Sequence, residues 1–479
     1  MKDNRISSSK IFSSFFWVLV EKFGYSGISL LCTLILARLL EPYEFGLVGT
    51  VTIIISISNM IVDSGLGAAL VNKKDITISD CNTMFTFNLF ISIILFLTIF
   101  FSAPYIAKYF EKPILRDIIR VLSTTMIFNA IATVQRVILV RNLLFKKQSL
   151  ISIISLIISA IITIFMAYDG WGVWAIVAQS VLYSLIFTII ISLSTRYTPR
   201  IQFSFSSFKE LIGFGGPVIL SSAIQIGYND VISSVIAKLY NIQLTGFYTQ
   251  SKKLVDFPIG IFQSLFSSAV FPILSKAKDK QEFQMLASKI NKGIYFLAFP
   301  LLLIIPFNTE NIIYIVLGKK WVGANEIFTI LSISVIISLI SSAKFNILKS
   351  AGKGKILLNA GIARAIVGFT TLAALATFSI NFLLYGIIFT NLIALIIGIN
   401  YVNLTTLYDI KRQIRDISIP LIIASVANIS ALIIVKMVKF EEQIFSLLLY
   451  ITIMLLIFII QCLLFNIREL NFIIEKIKK

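Results

Sequence analysis

Long apolar stretches alternate with short polar connections along the whole chain, and about fourteen such stretches are present. Three that are almost free of charge are Ile151–Met166, Gly172–Ser194 and Phe445–Leu464. A helix needs roughly 20 residues to cross the hydrocarbon core of a bilayer. The pattern therefore predicts an all-α polytopic membrane protein with about fourteen transmembrane helices.

The first apolar stretch follows a basic N-terminal segment, as a signal peptide would. It runs from about Phe15 to Leu40 without a small-residue cleavage site. This is longer than the apolar region of a signal peptide, so the stretch is predicted to be the first transmembrane helix.

The composition predicts no soluble domain and no enzyme. Hydrophobic residues make up 57% of the 479 positions, and the mean hydropathy is +0.93. The longest polar connections, about 195–213 and 276–292, are too short to form a core of their own. Histidine, the commonest general base and metal ligand, does not occur. The three scattered cysteines, Cys32, Cys81 and Cys462, indicate neither a disulfide framework nor a metal site.

The chain has a net charge of +19, and its basic residues are distributed unevenly over alternate connections. Lysine and arginine in one alternate set of connections outnumber those in the other nearly threefold. Such a bias marks the cytoplasmic side of a membrane protein. It places both termini in the cytoplasm and explains the basic charge without a nucleic-acid partner.

The chain contains an internal repeat with an offset of 200 residues. Residues 36–48 read LARLLEPYEFGLV and residues 236–248 read IAKLYNIQLTGFY. The matching pairs are Ala37 and Ala237, Arg38 and Lys238, Leu39 and Leu239, Gly46 and Gly246, and Gly27 and Gly227. Six helices separate the two copies, so both copies have the same orientation in the membrane. Transporters built from paired bundles have this arrangement, with the substrate path between the halves.

The repeat predicts the organisation of the chain. An N-terminal lobe of helices one to six covers 1–195, and a C-terminal lobe of helices seven to twelve covers 196–408. Two further helices cover 409–465. The remainder, 466–479, is predicted to be an amphipathic cytoplasmic tail that lies on the inner leaflet or contacts partner proteins.

Charged residues inside predicted helices are the main functional signal, because a charge at mid-membrane costs roughly 2.5–3.5 kcal/mol and usually faces a cavity or a partner. The candidates for binding an anion, with pyrophosphate as the strongest common one, are Lys22, Lys252, Lys253 and Arg364. On the eighth helix, Lys252 and Asp256 are four residues apart and share a face, so an internal ion pair is the alternative there. For Arg136, Lys344 and Asp63, which lie nearer to cytoplasmic ends, snorkelling or interfacial pairing is favoured.

Uncharged polar residues and two carboxylates complete the set of candidates. Gln225, Tyr228, Asn229 and Gln250 are candidates for recognising the uncharged polar part of a substrate, and Asp63 and Asp230 are candidates for a coupling cation or proton. No metal or cofactor site is predicted.

Several short motifs occur in order along the chain. They are LARLLEPYEFG (36–46), IVDSGLGAALVNKK (61–74), RNLLFKKQS (141–149), GWGVWAIVAQS (170–180), TGFYTQSKKLVDFP (245–258), FPILS (271–275), GKKW (318–321) and GKGK (352–355). In these motifs the chain resembles the Wzx-type polysaccharide flippases of the multidrug/oligosaccharidyl-lipid/polysaccharide (MOP) exporter superfamily, in the branch that serves O-antigen, capsule or exopolysaccharide synthesis.

The resemblance implies two six-helix lobes around a central cavity, with two extra helices. It implies transport of oligosaccharide repeat units linked to undecaprenyl pyrophosphate, from the inner to the outer leaflet of the bacterial cytoplasmic membrane, by alternating access. Besides this lipid-linked glycan and membrane lipids, the polysaccharide polymerase and the chain-length regulator are the implied candidate partners.

Three other functions agree less well with the sequence. An ion-coupled drug or organic-cation antiporter of the same superfamily is the alternative, and it would favour carboxylates over the lysines present here. A membrane glycan polymerase, ligase or glycosyltransferase would need a large outer loop or a metal-binding acidic pair. A scaffold would have no reason to retain buried charges. The segment GKGK lacks the spacing of a P-loop.

Overall fold

The computed structural model describes residues 8–63, 66–73, 75–195, 197–266, 270–275, 277–438 and 442–465. Within these ranges the regular structure is helical and no strand occurs. The predicted all-α class is confirmed. The predicted amphipathic tail, 466–479, lies outside the described residues.

Seventeen α-helices follow one another in this part of the chain. They are α1 Ser8–Leu39, α2 Pro42–Asp63, α3 Leu66–Asn72, α4 Ile78–Tyr109, α5 Ile114–Arg141, α6 Phe145–Tyr168, α7 Val173–Ser194, α8 Phe205–Leu239, α9 Ile242–Leu265, α10 Phe271–Leu274, α11 Lys280–Phe307, α12 Thr309–Val316, α13 Asn325–Ser350, α14 Gly354–Leu375, α15 Ile380–Thr405, α16 Ile410–Val438 and α17 Gln443–Leu464. A 3₁₀ helix, Lys319–Ala324, leads into α13.

Fourteen of these described helices have 22 to 35 residues, which matches the predicted number of long helices. Twelve candidate membrane spans meet the criteria of length and hydropathy. The long helices outside these twelve spans are α8 and α9. Helix α9 carries Lys252, Lys253 and Asp256 within little more than one turn, which lowers its mean hydropathy.

Local sequence explains where helices begin and turn. Helix α4 starts with a capping box, in which the Asp80 amide donates to the Thr77 hydroxyl at 3.1 Å and the Thr77 amide donates to Asp80 at 3.0 Å. Between α6 and α7 the chain turns through Gly170 and Gly172, whose φ angles are +82° and +56°. Glycine adopts positive φ without a steric penalty. The GWG segment is therefore a tight turn between two antiparallel spans.

The chain divides into two compact units, Met1–Thr249 and Gln250–Lys479. In the first unit, α1 packs on α6, and α8 packs on α2 and α3. In the second unit, α16 packs on α11 and α17 packs on α16, so these two helices join the hydrophobic core of that unit. The two units are defined by which helices pack together, whereas the predicted lobes are defined by the sequence repeat. The lobe boundary at 195/196 stays a prediction.

The connection between α7 and α8 is attached to α4 by side chains. The Asn82 carbonyl oxygen accepts from the Tyr197 hydroxyl at 2.6 Å, and the Asn82 amide donates to the Gln202 side chain at 3.1 Å. One turn later the Thr86 hydroxyl exchanges hydrogen bonds of 3.0 Å with the backbone of Gln202. The connection is therefore an ordered strap along the start of α4.

Helices α2 and α9 cross at the repeated glycines. A Cβ atom on Gly46 would lie 1.8 Å from the carbonyl oxygen of Ile242, and one on Gly246 would lie 1.9 Å from that of Pro42. The partner positions 42 and 242 are themselves related by the repeat offset of 200. A contact in which i meets j and j meets i is what a twofold relation produces. The crossing therefore supports the repeat, and it explains why both positions are glycine.

Candidate substrate-binding site

A polar cavity of about 380 Å³ lies inside the first unit, among α1, α5, α6 and α7. It is lined by Glu21, Lys22, Tyr25, Ser26, Arg136, Gln148, Ser152 and Tyr183. The predicted site residue Lys22 has an exposed side chain at this cavity. Lys22 and Arg136 supply two positive charges and Glu21 one negative charge to the lining.

Hydrogen bonds from α6 hold the carboxylate of Glu21 in the cavity wall. The Glu21 carboxylate accepts from the Gln148 amide at 3.1 Å and from the Ser152 hydroxyl at 3.2 Å. Hydrogen bonds of this kind satisfy a carboxylate without a cation. Glu21 therefore has its own partners, and the two cations of the lining are not needed to hold it.

Aromatic side chains form the wall next to the two cations. The rings of Tyr25 and Tyr183 meet edge to face, with centroids 5.5 Å apart. Tyr183 stacks on Phe187 at 5.9 Å, and the Arg136 guanidinium lies over the Phe187 ring at 4.9 Å. Tyrosine combines an apolar ring with a polar hydroxyl. The tyrosine rings of the wall can thus pack against the apolar face of a sugar, and their hydroxyl groups can form hydrogen bonds with the sugar hydroxyl groups.

A row of polar side chains joins α2 and α5 beside Arg136. The Asn129 amide donates to the Asn59 carbonyl oxygen at 2.9 Å, and the Thr133 hydroxyl donates to Asp63 at 3.4 Å. Asp63 has an exposed side chain and feels the positive charge of Arg136. The hydrogen bond ties this candidate for ion coupling to Thr133, which lies one helical turn before Arg136 on α5.

The candidates on α8 differ in burial. Tyr228 is buried, while Asn229 and Asp230 are half-buried. The Ser233 hydroxyl donates to the backbone carbonyl of Asp230 at 2.7 Å. The side chain of Gln225 lies outside the described residues. These positions are consistent with a polar stretch of helix, and their role stays a prediction.

The cluster on α9 contains the ion pair that its spacing allows. The Lys252 ammonium lies 2.5 Å from the Asp256 carboxylate, in an i,i+4 arrangement. Both side chains are partly exposed, at 32% and 47%. Lys253 is exposed and Gln250 is buried. This stretch of the second unit thus carries two lysines and one carboxylate.

Arg364 is held inside the second unit by a chain of hydrogen bonds. Its guanidinium donates to the Asn391 side chain at 3.1 Å, and the Asn391 amide donates to the Ser334 hydroxyl at 2.8 Å. The chain links α14, α15 and α13. Arg364 is half-buried, so these bonds orient its guanidinium while part of it stays accessible.

The matching protein family is described as "Polysaccharide biosynthesis protein", and the match covers residues 35–326, more than half of the chain. The chain belongs to this family.

Curated relatives of this polysaccharide biosynthesis protein include transporters. The "Succinoglycan biosynthesis transport protein ExoT" of Rhizobium meliloti (strain 1021) is 25% identical over 430 residues, which are 88% of this chain and 85% of ExoT. The "Lipopolysaccharide biosynthesis protein WzxC" of Escherichia coli (strain K12) is 21% identical over 345 residues, 71% of this chain and 68% of WzxC. The predicted membership of the Wzx-type flippases is confirmed.

Solved structures share the fold. The "Lipid II flippase MurJ, inward closed conformation" superposes with a TM-score of 0.77 at 14% identity, covering 94% of this chain and 99% of MurJ. A MATE family transporter of the MOP superfamily, in its inward-facing conformation, gives 0.60 at 15% identity over 82% of this chain and 97% of its own. At this identity the likeness concerns the fold alone. It agrees with the predicted all-α fold, and with its twelve candidate spans the polysaccharide biosynthesis protein is a multi-pass membrane protein.

The structure gives the positions of two charged residues, Arg136 and Lys344, for which the sequence favours snorkelling or interfacial pairing. For Arg136 the sequence favours snorkelling or interfacial pairing, and in the structure its side chain lines the cavity. Lys344 is completely buried, so snorkelling is wrong for it. The spacing of Asn129, Thr133 and Arg136 on one face of α5 could have indicated the first. No local signal distinguishes the second, because its burial depends on three other helices.

Proposed function

We propose that the protein moves oligosaccharide repeat units linked to undecaprenyl pyrophosphate from the inner to the outer leaflet of the bacterial cytoplasmic membrane, by alternating access. The transported units would serve the synthesis of a surface polysaccharide: an O-antigen, a capsule or an exopolysaccharide. The relatives ExoT and WzxC, named for succinoglycan transport and lipopolysaccharide biosynthesis, support this substrate class.

The cavity of the first unit is the observation that carries the proposal. It combines two cations, Lys22 and Arg136, with the tyrosine pair Tyr25 and Tyr183. Arginine and lysine bind phosphate oxygens through charge-assisted hydrogen bonds. A ligand with a pyrophosphate next to a sugar needs both kinds of group, whereas an organic cation would be repelled by the two positive charges.

The candidates on α8, α9 and α14 complete the set of proposed binding residues, each within its own unit. Lys252, Lys253 and Arg364 would interact with the pyrophosphate. The glycan would be recognised by polar side chains, namely Gln225, Tyr228, Asn229 and Gln250. Asp63 and Asp230 remain the candidates for the coupling ion, and for Asp63 the neighbouring Arg136 favours a role in placing the guanidinium.

Alternating access needs two halves that move against each other around a fixed contact. The reciprocal crossing at Gly46 and Gly246 lies within the first compact unit, and there it joins equivalent positions of the two copies of the repeat through their backbones. Backbone contact without intervening side chains lets two helices tilt without repacking a layer of side chains.

The sidedness of the lipid-linked glycan tests the proposal directly. In a strain that lacks the gene, we expect repeat units on undecaprenyl pyrophosphate to accumulate on the inner leaflet and surface polysaccharide to disappear. Restoring the wild-type gene should reverse both. If the precursors reach the outer leaflet normally in the deletion strain, the substrate assignment is wrong and small-molecule export takes its place.

A further inference from the structure

A lysine is buried in the core of the second unit. The side chain of Lys344, on α13, is 0% exposed, and no hydrogen-bond partner for its Nζ atom occurs among the described residues. Helix α15 passes so close that a Cβ atom on Gly398 would lie 2.9 Å from the Lys344 Cβ atom. An ammonium group in the protein interior without such a partner is costly. The position therefore calls for an explanation beyond packing.

A buried acidic side chain, Asp416 of α16, lies in the same core. The Lys344 ammonium lies 5.1 Å from the centre of the Tyr408 ring, and the Tyr408 hydroxyl donates to the Asp416 carboxylate at 2.8 Å. Ser288 of α11 donates to the same carboxylate oxygen. Asp416 itself is 3% exposed. An opposite pair of ionisable groups is thus enclosed by three helices and joined by one aromatic ring.

Hydrogen-bonding groups connect this pair to the surface. The Arg412 guanidinium donates to the Ser288 hydroxyl at 3.3 Å, and Arg412 is half-buried. The chain therefore runs from Arg412 through Ser288 to Asp416 and Tyr408, beside Lys344. It lies toward the predicted cytoplasmic ends of α11, α13 and α16.

Two more polar side chains in the same core have unmet hydrogen-bonding groups. Asn291 and Tyr295 are 0% exposed, and neither the Asn291 amide nor the Tyr295 hydroxyl has a partner among the described residues. They follow Ser288 at i+3 and i+7, so all three share a face of α11. Tyr295 also interacts electrostatically with Asp416. Buried polar groups are nearly always hydrogen-bonded, so Asn291 and Tyr295 add unused hydrogen-bonding capacity to the core that holds Lys344.

Charge limits what this core can bind. A metal cation would be repelled by the Lys344 ammonium, and an anion by the Asp416 carboxylate. A proton is different, because it can be carried by Lys344 itself and handed on through water and hydroxyl groups. Lysine is the cationic side chain that exchanges its proton when buried, whereas arginine stays charged.

We propose that Lys344 and Asp416 form a proton-binding site in the second unit, and that proton binding there drives transport. The step is a simple exchange: the Lys344 ammonium gives one proton to water and becomes an amine, and the reverse step restores it. This site is separate from Asp63 and Asp230. The role in transport depends on the proposed flippase function, whereas proton binding itself does not.

The groups that face Lys344 come from each element packed around it. The connection before α16 contributes Tyr408, which lies against the Lys344 ammonium. Asp416 of α16 follows through its hydrogen bond from Tyr408, and Arg412 through the hydroxyl of Ser288 on α11. Helix α15 contributes Gly398 and no charge at the contact.

Proton binding can be measured on the purified full-length protein without substrate. The Tyr408 ring reports the charge above it, so the near-ultraviolet difference spectrum should change as the pH is moved between about 5 and 8, where ordinary tyrosine and lysine side chains do not titrate. We expect this change to be lost in Lys344→Met and in Lys344→Arg, which stays charged. Lys349→Met, an exposed lysine of the same helix, is the matched control and should keep it. A wild-type spectrum without the change, or one that persists in Lys344→Met, would overturn the site.

Export of surface glycan by the same variants tests the coupling. We expect Lys344→Met and Lys344→Arg to lose export at least about tenfold, which corresponds to about 1.4 kcal/mol, with normal amounts of protein in the membrane. If Lys344 only balanced the charge of Asp416, Lys344→Arg would restore export, and that result contradicts the proposal.

The double variant Lys344→Met/Asp416→Asn separates folding from coupling, because it removes both buried charges. It should recover any stability lost by Lys344→Met and remain inactive in export. Full export by this variant would show that proton binding does not drive transport, while the flippase function would stand. Failure of the flippase function would instead appear in the deletion strain, as normal outer-leaflet precursors.

Discussion

At the scale of single residues, Lys252 and Lys253 are neighbours on α9 but differ in their contacts, because Lys252 forms an ion pair with Asp256. Lys252 is paired with Asp256 at 2.5 Å, and Lys253 is the more exposed of the two. A partly exposed pair of this kind contributes only about 0.3–0.5 kcal/mol to a helix. The Lys252–Asp256 pair therefore adds little to stability. Because Lys252 belongs to this pair, we expect the two lysines to respond differently to substitution.

Neutralising both lysines, in Lys252→Met/Lys253→Met, should abolish export while the protein still inserts into the membrane. The single change Lys252→Met leaves Asp256 without its cation, so adding Asp256→Asn should recover part of the loss. Surface glycan and membrane protein levels are the measurements, with Lys411→Met at an exposed position as the control. Undiminished glycan in the double lysine variant would remove both residues from the site.

The tyrosine pair of the cavity gives a second prediction at this scale. Tyr25→Phe keeps the ring that meets Tyr183, and Tyr25→Ala removes it. If the ring contacts a sugar, export should fall at least about tenfold in Tyr25→Ala, equivalent to about 1.4 kcal/mol, and much less in Tyr25→Phe. Equal export by both variants would show that the ring is not used. Protein amount and melting temperature in detergent distinguish loss of binding from loss of packing.

At the scale of helices, the crossing of α2 and α9 depends on two residues without side chains. Alanine at Gly46 would place a Cβ atom 1.8 Å from a backbone oxygen, a distance at which the helices must separate. Overpacking of this kind costs about 1–3 kcal/mol. The repeat offers a matched control, since Gly27 and Gly227 also coincide and a Cβ atom there meets nothing within 4 Å.

We expect Gly46→Ala and Gly246→Ala each to lower the melting temperature in detergent and to reduce export. Gly27→Ala and Gly227→Ala should leave both unchanged. If all four variants behave alike, the crossing does not need its glycines and the proposed fixed contact is wrong.

The strap between α7 and α8 gives a prediction that concerns a connection. Asn82 is 1% exposed and accepts hydrogen bonds from the Tyr197 hydroxyl and the Arg200 amide. Replacing Asn82 by Ala leaves these donors unsatisfied, at about 1–3 kcal/mol per group. Trypsin should then cleave after Arg200 faster than in the wild type. Thr98→Ala, on the same helix but bonded only to its own helix at Ile94, should not change the rate. Unchanged cleavage in the Asn82 variant would show that the strap is held elsewhere.

At the scale of the whole molecule, the distribution of lysine and arginine predicts which side each connection faces. The native cysteines Cys32, Cys81 and Cys462 are buried, so they should give little background in labelling. A cysteine at Asn241 should react with an impermeant thiol reagent added outside the cell. A cysteine at Ser350 should react only after the inner side is opened. The reverse pattern would overturn the orientation and place both termini outside.

The transport cycle also belongs to this scale. The first unit contains the cavity with Lys22 and Arg136, and the second contains the buried pair Lys344 and Asp416. If one binds the pyrophosphate and the other the proton, substrate and driving ion are held by different parts of the chain. Variants at the first site should then lose substrate binding and keep the pH-dependent spectrum, and variants at the second should do the opposite.

The sequence by itself determined the helical membrane class, the long helices and the repeat, because helix length, hydropathy and spacing are local properties of the chain. It also indicated the Lys252–Asp256 pair, whose geometry depends only on helical periodicity. Tertiary structure alone decided that Lys22 and Arg136 share a cavity, that Gly46 and Gly246 meet partners related by the repeat, and that Lys344 is buried. These outcomes depend on which helices pack together, and residues far apart in the chain set that choice. An amphipathic side chain such as lysine can reach water or stay buried from the same position, so its surroundings decide its role.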